Sequence, residues 1–293
     1  MKTYFYLPTY SSLFKEGLKW ILIIAMLMVL ISCGRHSRTT ENRYVVLSPE
    51  IAEILAHLGL EDRIVGITAE CDYPPSLQEI DIIGNFGQIS LERVVALNPS
   101  IIFASALEHN EIAEQLRRLN KRIYQLYPHN THELMEKIKL IGEICGVEEK
   151  ANALRNNMKD NFSRFLEIAK QRENKPRVFI EIYGNPIMSA SNASYLGQLL
   201  LYAGAENIFP ELPRDYSRVN VEEIVRLNPD VIILTYPGIS ANDVRNRRGW
   251  GEINAVRNNR IYTVDDVNPD LILRAGPRNI EGIERLVEVL YGG

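Results

Sequence analysis

Cysteine is scarce in this chain: Cys33, Cys71 and Cys145 are the three among 293 residues, too few for the disulfide framework of a small secreted domain. Basic clusters with interleaved aromatics are missing too, and the formal net charge is −4, which argues against nucleic acid as a partner. The common catalytic signatures are absent: no G-x-S-x-G elbow, no phosphate-cradling G-x-x-x-x-G-K-[ST], no H-E-x-x-H helix. Asp265 and Asp266 are adjacent acids, but neighbours on a strand point to opposite faces, so they would not share a substrate. Histidine is sparse as well: His36, His57, His109, His129 and His132. His129 and His132 could approach one another in a loop, yet a zinc site wants three or four converging ligands. No catalytic or metal centre is expected, and therefore no enzyme. What remains is an ordinary globular composition, 46% hydrophobic and 24% charged, long enough for one large domain or two modest ones.

The N-terminus does not read as fold. Lys2, Lys15 and Lys19 precede an uninterrupted apolar run from Ile21 to Ile31. That run is shorter than the roughly 20 residues of a membrane span and suits a signal-peptide core. It ends in Leu30-Ile31-Ser32-Cys33, which resembles a bacterial lipobox. The expectation is a signal peptide over 1–32, lipidation of Cys33, and a polar tether over 33–42. The folded part would then work in the cell envelope, outside the cytoplasmic membrane and anchored to it through Cys33.

Two stretches repeat. Ser90-Leu91-Glu92-Arg93-Val94-Val95-Ala96-Leu97-Asn98-Pro99 is followed by Ser100-Ile101-Ile102-Phe103. Asn220-Val221-Glu222-Glu223-Ile224-Val225-Arg226-Leu227-Asn228-Pro229 is followed by Asp230-Val231-Ile232-Ile233. Each begins with a good N-cap, carries a glutamate where the helix dipole favours negative charge, and stops at Asn-Pro. A run rich in Ile and Val follows, as in a parallel strand buried on both faces. Glu148 to Gln171 is charged and free of Gly and Pro, so one long helix is expected between the copies. The expected fold is α/β: two Rossmann-like lobes, 43–146 and 173–293, joined by a helix over 147–172, with a ligand cleft between them. A helical connection resists hinge bending, so small relative motion is expected on binding.

Together with the Asp72-Tyr73-Pro74-Pro75 loop and Arg274-Ala275-Gly276-Pro277-Arg278, these repeats resemble the helical-backbone (class III) substrate-binding proteins of bacterial ABC importers. Within that class the resemblance is to the vitamin B12 (cobalamin) receptor group, and it runs from Arg43 to the C-terminus. It implies a monomer that captures cobalamin or a related corrinoid and delivers it to an ABC permease with its cytoplasmic ATPase, using no cofactor of its own. Glu92 and Glu222 match the glutamates that dock such receptors onto the permease. Phe86, Tyr216, Pro186, Met188 and the loop with Glu70, Asp72 and Tyr73 match ligand contacts, as do Asp270 and Arg274. Glu70 replaces an aromatic and Tyr216 a tryptophan, and an acid at the cleft favours a cationic or amide-rich cargo over an anionic ferric siderophore. An iron-siderophore or haem receptor of the same fold is the alternative; Tyr73, Tyr183 or a histidine could then be an axial ligand. A corrinoid sensor or scavenger without a permease is a second. Cys71 reads as a free thiol, though pairing with Cys145 stays open.

Overall fold

The computed structural model describes residues 42–106 and 109–292. The expected signal peptide, the lipidation site Cys33 and most of the tether lie outside the described residues. Among those described, no helix is long and apolar enough to cross a membrane.

The N-terminal lobe runs β1 (Tyr44–Val46), α1 (Pro49–His57), β2 (Ile64–Thr68), β3 (Ile82–Asn85), β4 (Gln88–Ile89), α2 (Leu91–Ala96), β5 (Ile101–Ser105), α3 (Asn110–Arg118), β6 (Ile123–Leu126) and α4 (Thr131–Cys145). Its sheet has the order β4-β3-β2-β1-β5-β6. All pairings are parallel except β3 with β4. β1 and β5 are buried along their whole length, which is why they read as apolar runs without alternation. The chain leaves β1 in one direction along the sheet and returns to the other side of it at β5. The gap between these two strand ends is therefore a topological switch point, where open α/β sheets take their ligands.

α5 (Glu148–Lys170) is the single long connecting helix, about 35 Å at 1.5 Å per residue. Its buried side chains are Ala151, Met158, Phe162, Phe165 and Ala169, a stripe at helical spacing. α4 lies against it so closely that a Cβ on Gly142 would sit 2.4 Å from that of Ala151.

The C-terminal lobe follows as β7 (Arg177–Glu181), β8 (Tyr183–Gly184), β9 (Ile187–Ala190), α6 (Tyr195–Tyr202), β10 (Glu206–Asn207), β11 (Tyr216–Arg218), α7 (Val221–Leu227), β12 (Val231–Leu234), α8 (Ala241–Arg245), α9 (Asn254–Arg257), β13 (Ile261–Tyr262), α10 (Asp270–Leu273) and α11 (Asn279–Tyr291). Its parallel sheet has the order β10-β7-β12-β13, beside a small antiparallel sheet β11-β9-β8. β13 ends at Tyr262, so the two acids read as strand neighbours are not on a strand. Asp265 and Asp266 lie in the turn after β13, where Asp266 accepts from the Thr263 N–H at 2.8 Å.

The two repeated units adopt one conformation. Ser90 accepts from the Arg93 N–H at 3.3 Å, and Asn220 from the Glu222 N–H at 2.8 Å. The residues before the prolines, Asn98 and Asn228, sit at φ +44° and +45°. Proline bars the right-handed helical region to the residue before it, and asparagine tolerates the left-handed one. Each unit then feeds a buried strand, β5 or β12.

One apolar core runs from Tyr44, Ile51 and Phe103 of the first lobe, through Ile138, Phe162 and Leu199, to Val178, Ile233 and Leu286 of the second. The opposite faces of the two sheets carry separate cores, around Val94 and around Trp250. The lobes are thus joined at the back by continuous packing as well as by α5.

Candidate functional site

A cavity of about 340 Å³ lies between the lobes. From the first lobe it is lined by Pro49, Glu50, Phe86, Ser105, Tyr127 and Pro128. The second contributes Ile182, Tyr195, Tyr216, Leu273, Arg274 and Ala275. Strand ends explain most of this list. Pro49 and Glu50 open the helix after β1, Ser105 ends β5, and Tyr127-Pro128 follow β6. The first two positions are the lips of the switch point. Four aromatic rings and several aliphatic groups make the wall mainly apolar. Phe86 is 39% exposed and meets the His109 ring edge-on, 5.5 Å between centroids. Burial raises the Tyr195 and Tyr216 phenols above their ordinary range, so both are neutral hydrogen-bonding groups; Tyr195 donates to Asn279 Oδ1 at 2.7 Å.

Behind Arg274 stands an ion network that ties the lobes together. Arg274 Nη1 donates to Asp72 Oδ1 at 2.8 Å and to Glu53 Oε1 at 3.1 Å, and Nη2 to Asp270 Oδ2 at 3.0 Å. Arg278 donates to both oxygens of Glu53, at 2.8 and 2.6 Å, and its guanidinium carbon lies 4.0 Å from the centre of the Tyr73 ring. Burial works against the charge of both arginines, but the carboxylates outweigh it and hold their pKa values above the ordinary one. Burial also raises the Asp270 carboxyl. A second bridge crosses the mouth: His129 Nδ1 lies 2.9 Å from Asp215 Oδ2. These two residues flank the wall residues Tyr127-Pro128 and Tyr216.

The residues expected from the sequence fall into three groups. Phe86, Tyr216 and Arg274 share the cavity wall. Asp72, Tyr73 and Asp270 gather around Arg274 and Arg278. Glu70, Pro186 and Met188 do not line the cavity; Pro186 lies in the β8–β9 turn, Met188 pairs with Tyr183 and Arg218, and Glu70 has a buried Oε2 that accepts no hydrogen bond. His129, set beside His132 in the sequence reading, pairs with Asp215 of the other lobe. Cys71 and Cys145 are both free and buried, and burial pushes the Cys71 thiol up to about 12, which keeps it protonated and unreactive at neutral pH. Among the described residues no group of three or more His, Cys, Asp or Glu is placed to hold a metal ion.

Sequence reading missed Glu50, Ser105, Tyr127, Ile182 and Tyr195. The signal that finds the first four is position: each ends or closely follows a parallel strand. Glu92 and Glu222 are both exposed, in the first turns of α2 and α7, and neither lines the cavity.

Comparison with known proteins agrees with this architecture. A family profile described as "Periplasmic binding protein" matches residues 45–268. A Bacillus subtilis (strain 168) protein, the ABC transporter substrate-binding lipoprotein YvrC, is 33% identical over 256 residues, 85% of this chain and 80% of that one. A vitamin B12-binding protein of Vibrio parahaemolyticus is 24% identical over 247 residues, 84% of this chain and 88% of that one. Among solved structures, a possible iron-binding solute-binding protein of Staphylococcus epidermidis superposes with a TM-score of 0.75 at 28% identity, covering 85% of this chain and 98% of that one. The heme-binding protein RhuT of Roseiflexus sp. RS-1 gives 0.76 at 20% identity, covering 86% and 98%; at that identity the likeness is one of fold. The chain belongs to the periplasmic binding protein family, the substrate-binding proteins of ABC transporters, and acts by binding a small ligand rather than by catalysis.

Proposed function

We propose that this protein captures a corrinoid, cobalamin or a close relative, in the inter-lobe cleft and hands it to an ABC permease. The observation that carries the reading is the charge of the wall. Among the described residues lining the cavity Arg274 is the sole cation, and three carboxylates already neutralise it. Glu50 adds a negative charge to the same wall. An anionic ferric siderophore, or the carboxylate fringe of haem, would meet no uncompensated positive charge here. An amide-fringed corrin meets aromatic and aliphatic surface with a few polar groups, which suits a large, mostly apolar ligand.

Glu92 and Glu222 are assigned to permease docking. They stand at the same turn of two repeated units, both exposed, while the dipole would accept an acid at several neighbouring positions. Lipidation of Cys33, and hence anchoring outside the cytoplasmic membrane, belongs to the same reading.

The test is calorimetric titration of the full chain, purified in detergent, with cyanocobalamin, dicyanocobinamide, haem and a ferric siderophore. One-to-one corrinoid binding is expected, weakened about tenfold or more by Phe86→Ala and by Tyr216→Ala, which corresponds to roughly 1.4 kcal/mol each. Binding of haem or siderophore with no corrinoid binding sinks the proposal.

A further inference from the structure

Phe86 reaches the cleft from the far edge of its sheet. In the order β4-β3-β2-β1-β5-β6 the β3–β4 hairpin lies at one edge, and Phe86-Gly87 is its two-residue turn. Ser105 ends β5, three strand spacings from β3, or about 14 Å at about 4.8 Å each. His109 meets Phe86 from the β5 side. Its Nδ1 accepts from the Ser105 N–H at 3.1 Å, and its ring faces the Phe86 ring edge-on, 5.5 Å between centroids and 67° between planes. The ring pair thus closes a span that contains the ends of β2 and β1. Phe86, Ser105, and Pro49 and Glu50 after β1 all line the cavity; His109 does not.

The two rings are held unequally. His109 is 2% exposed and Ser105 1%, and the bond to the Ser105 N–H ties the imidazole to a strand buried along its whole length. Because Nδ1 accepts that bond, the proton of the neutral ring sits on Nε2. The backbone of His109 adds two ties: its N–H donates to the Ser105 carbonyl at 3.3 Å, and its carbonyl accepts from the Ala113 N–H at 3.0 Å. Phe86 is held by its backbone. Asn85 Oδ1 accepts from the Gly87 and Gln88 N–H groups, at 3.1 and 2.9 Å. These bonds fix the turn but not the rotamer of the Phe86 side chain, which is 39% exposed. Among the described residues, His109 is the ring that packs against it.

We propose that His109 is a positioning residue of the ligand site: it holds the Phe86 ring in the orientation that meets the ligand, without touching the ligand itself. The inference rests on the cleft as the ligand site and not on the cargo being a corrinoid. An unrestrained ring visits other rotamers, and apparent affinity falls with the fraction left in the competent one. His109→Asn keeps an acceptor for the Ser105 N–H and suits the N-cap of α3, but removes the ring. In the full chain it is expected to weaken cyanocobalamin roughly threefold to tenfold by calorimetry, the scale of one edge-to-face pair. In a Phe86→Ala chain the same substitution should change affinity by less than about twofold, because no ring remains to be positioned. A residue that merely stabilises the lobe would weaken both backgrounds alike. His109→Phe restores a ring and gives up the Ser105 bond, and should bind more tightly than His109→Asn. Equal losses in the two backgrounds, no loss from His109→Asn, or tighter binding by His109→Asn than by His109→Phe overturns the role. If the unsubstituted chain binds haem and not cyanocobalamin, corrinoid capture falls, and the same cycle run with haem decides the role of His109 by the same criteria. A chain that binds neither overturns the cleft as the ligand site, and this role with it.

Discussion

Glu53→Gln probes what holds the two lobes in register. Glu53 belongs to α1 in the first lobe, and Arg274 and Arg278 to the C-terminal segment of the second. Its carboxylate is 1% exposed and accepts three bonds from the two guanidinium groups, at 2.6, 2.8 and 3.1 Å. Glutamine keeps the shape and one acceptor oxygen but removes the charge. Arg278 then loses its carboxylate and keeps the face of Tyr73, whereas Arg274 retains Asp72 and Asp270. Removing one partner of a buried ion pair destabilises by about 3–5 kcal/mol. The carboxylates left to Arg274 put the expected loss at the lower end, about 3 kcal/mol. At roughly 2–4 °C per kcal/mol for a chain of this size, the Tm should fall by about 6–12 °C, read by scanning calorimetry. Glu114→Gln is the control: its pair with Arg118 is 3.8 Å long and 68% exposed on the acid side, and such pairs contribute at most about 1 kcal/mol. If Glu53→Gln melts with the unsubstituted chain, or no lower than Glu114→Gln, the network does not hold the lobes.

Three further outcomes follow from the same geometry. Burial raises the Asp270 carboxyl; a carboxyl raised on folding favours the folded state while protonated, and the advantage is lost as pH rises through its folded pKa. Asp270→Asn should therefore gain in Tm over the unsubstituted chain as pH goes from about 4 to 7, despite losing a salt bridge, and a gap that stays flat or narrows refutes this. Glu92→Arg with Glu222→Arg should leave ligand affinity unchanged and abolish uptake in cells, with a Tm loss of no more than a few degrees because first-turn acids contribute about 0.3–1 kcal/mol each; preserved uptake would point to a sensor or scavenger. His129→Ala should speed corrinoid association severalfold in stopped flow and shift Tm by little, since an exposed ion pair is worth about 0–1 kcal/mol; an unchanged rate means the His129–Asp215 bridge does not gate the cleft.

Elements set by local chemistry were legible in the sequence. The helix-Asn-Pro-strand units, the Gly146 stop of α4 and the full length of α5 depend on caps, breakers and periodicity, and the structure has all of them. The edge hairpin β8–β9 and its partner β11 were not legible, because strands of two to four residues leave no alternation to read. Phe86, Tyr216 and Arg274 were named through the family resemblance and not through any local signal of their own, and they share one wall. Glu53 did not stand out. Its position on α1 falls on the polar face opposite Ile51, Ile54 and Leu55, and what buries it is a segment more than 200 residues away. Pairings between the lobes, His129 with Asp215 across 86 residues among them, come from how the lobes meet and carry no local signature.

The way the lobes meet also decides how a ligand enters. At the back, one apolar core passes from lobe to lobe through α4, α5, α6 and α11, reinforced by the stacked rings of Phe162 and Tyr202, 5.2 Å apart. Thr131 adds two bonds to Gln198, at 3.0 and 2.9 Å, and one contact with the Tyr202 hydroxyl at 2.9 Å. Opening there would expose apolar surface at about 25 cal/mol per Å² and strand buried polar groups. At the mouth, the bridge seen among the described residues is the His129–Asp215 ion pair, with side chains 57% and 31% exposed. The cavity, about 340 Å³, is near the small end of the roughly 300–1,000 Å³ of ligand sites, so a corrin needs more room than it offers. That room is cheapest to make at the mouth. The loops that carry the bridge, 127–130 and 214–216, also carry the wall aromatics Tyr127 and Tyr216, so displacing them widens the cleft and re-aims two ligand-facing rings together. On this geometry, entry is expected to displace these two loops while α5 and the core behind it stay in place, and the association rate of the His129→Ala variant tests it.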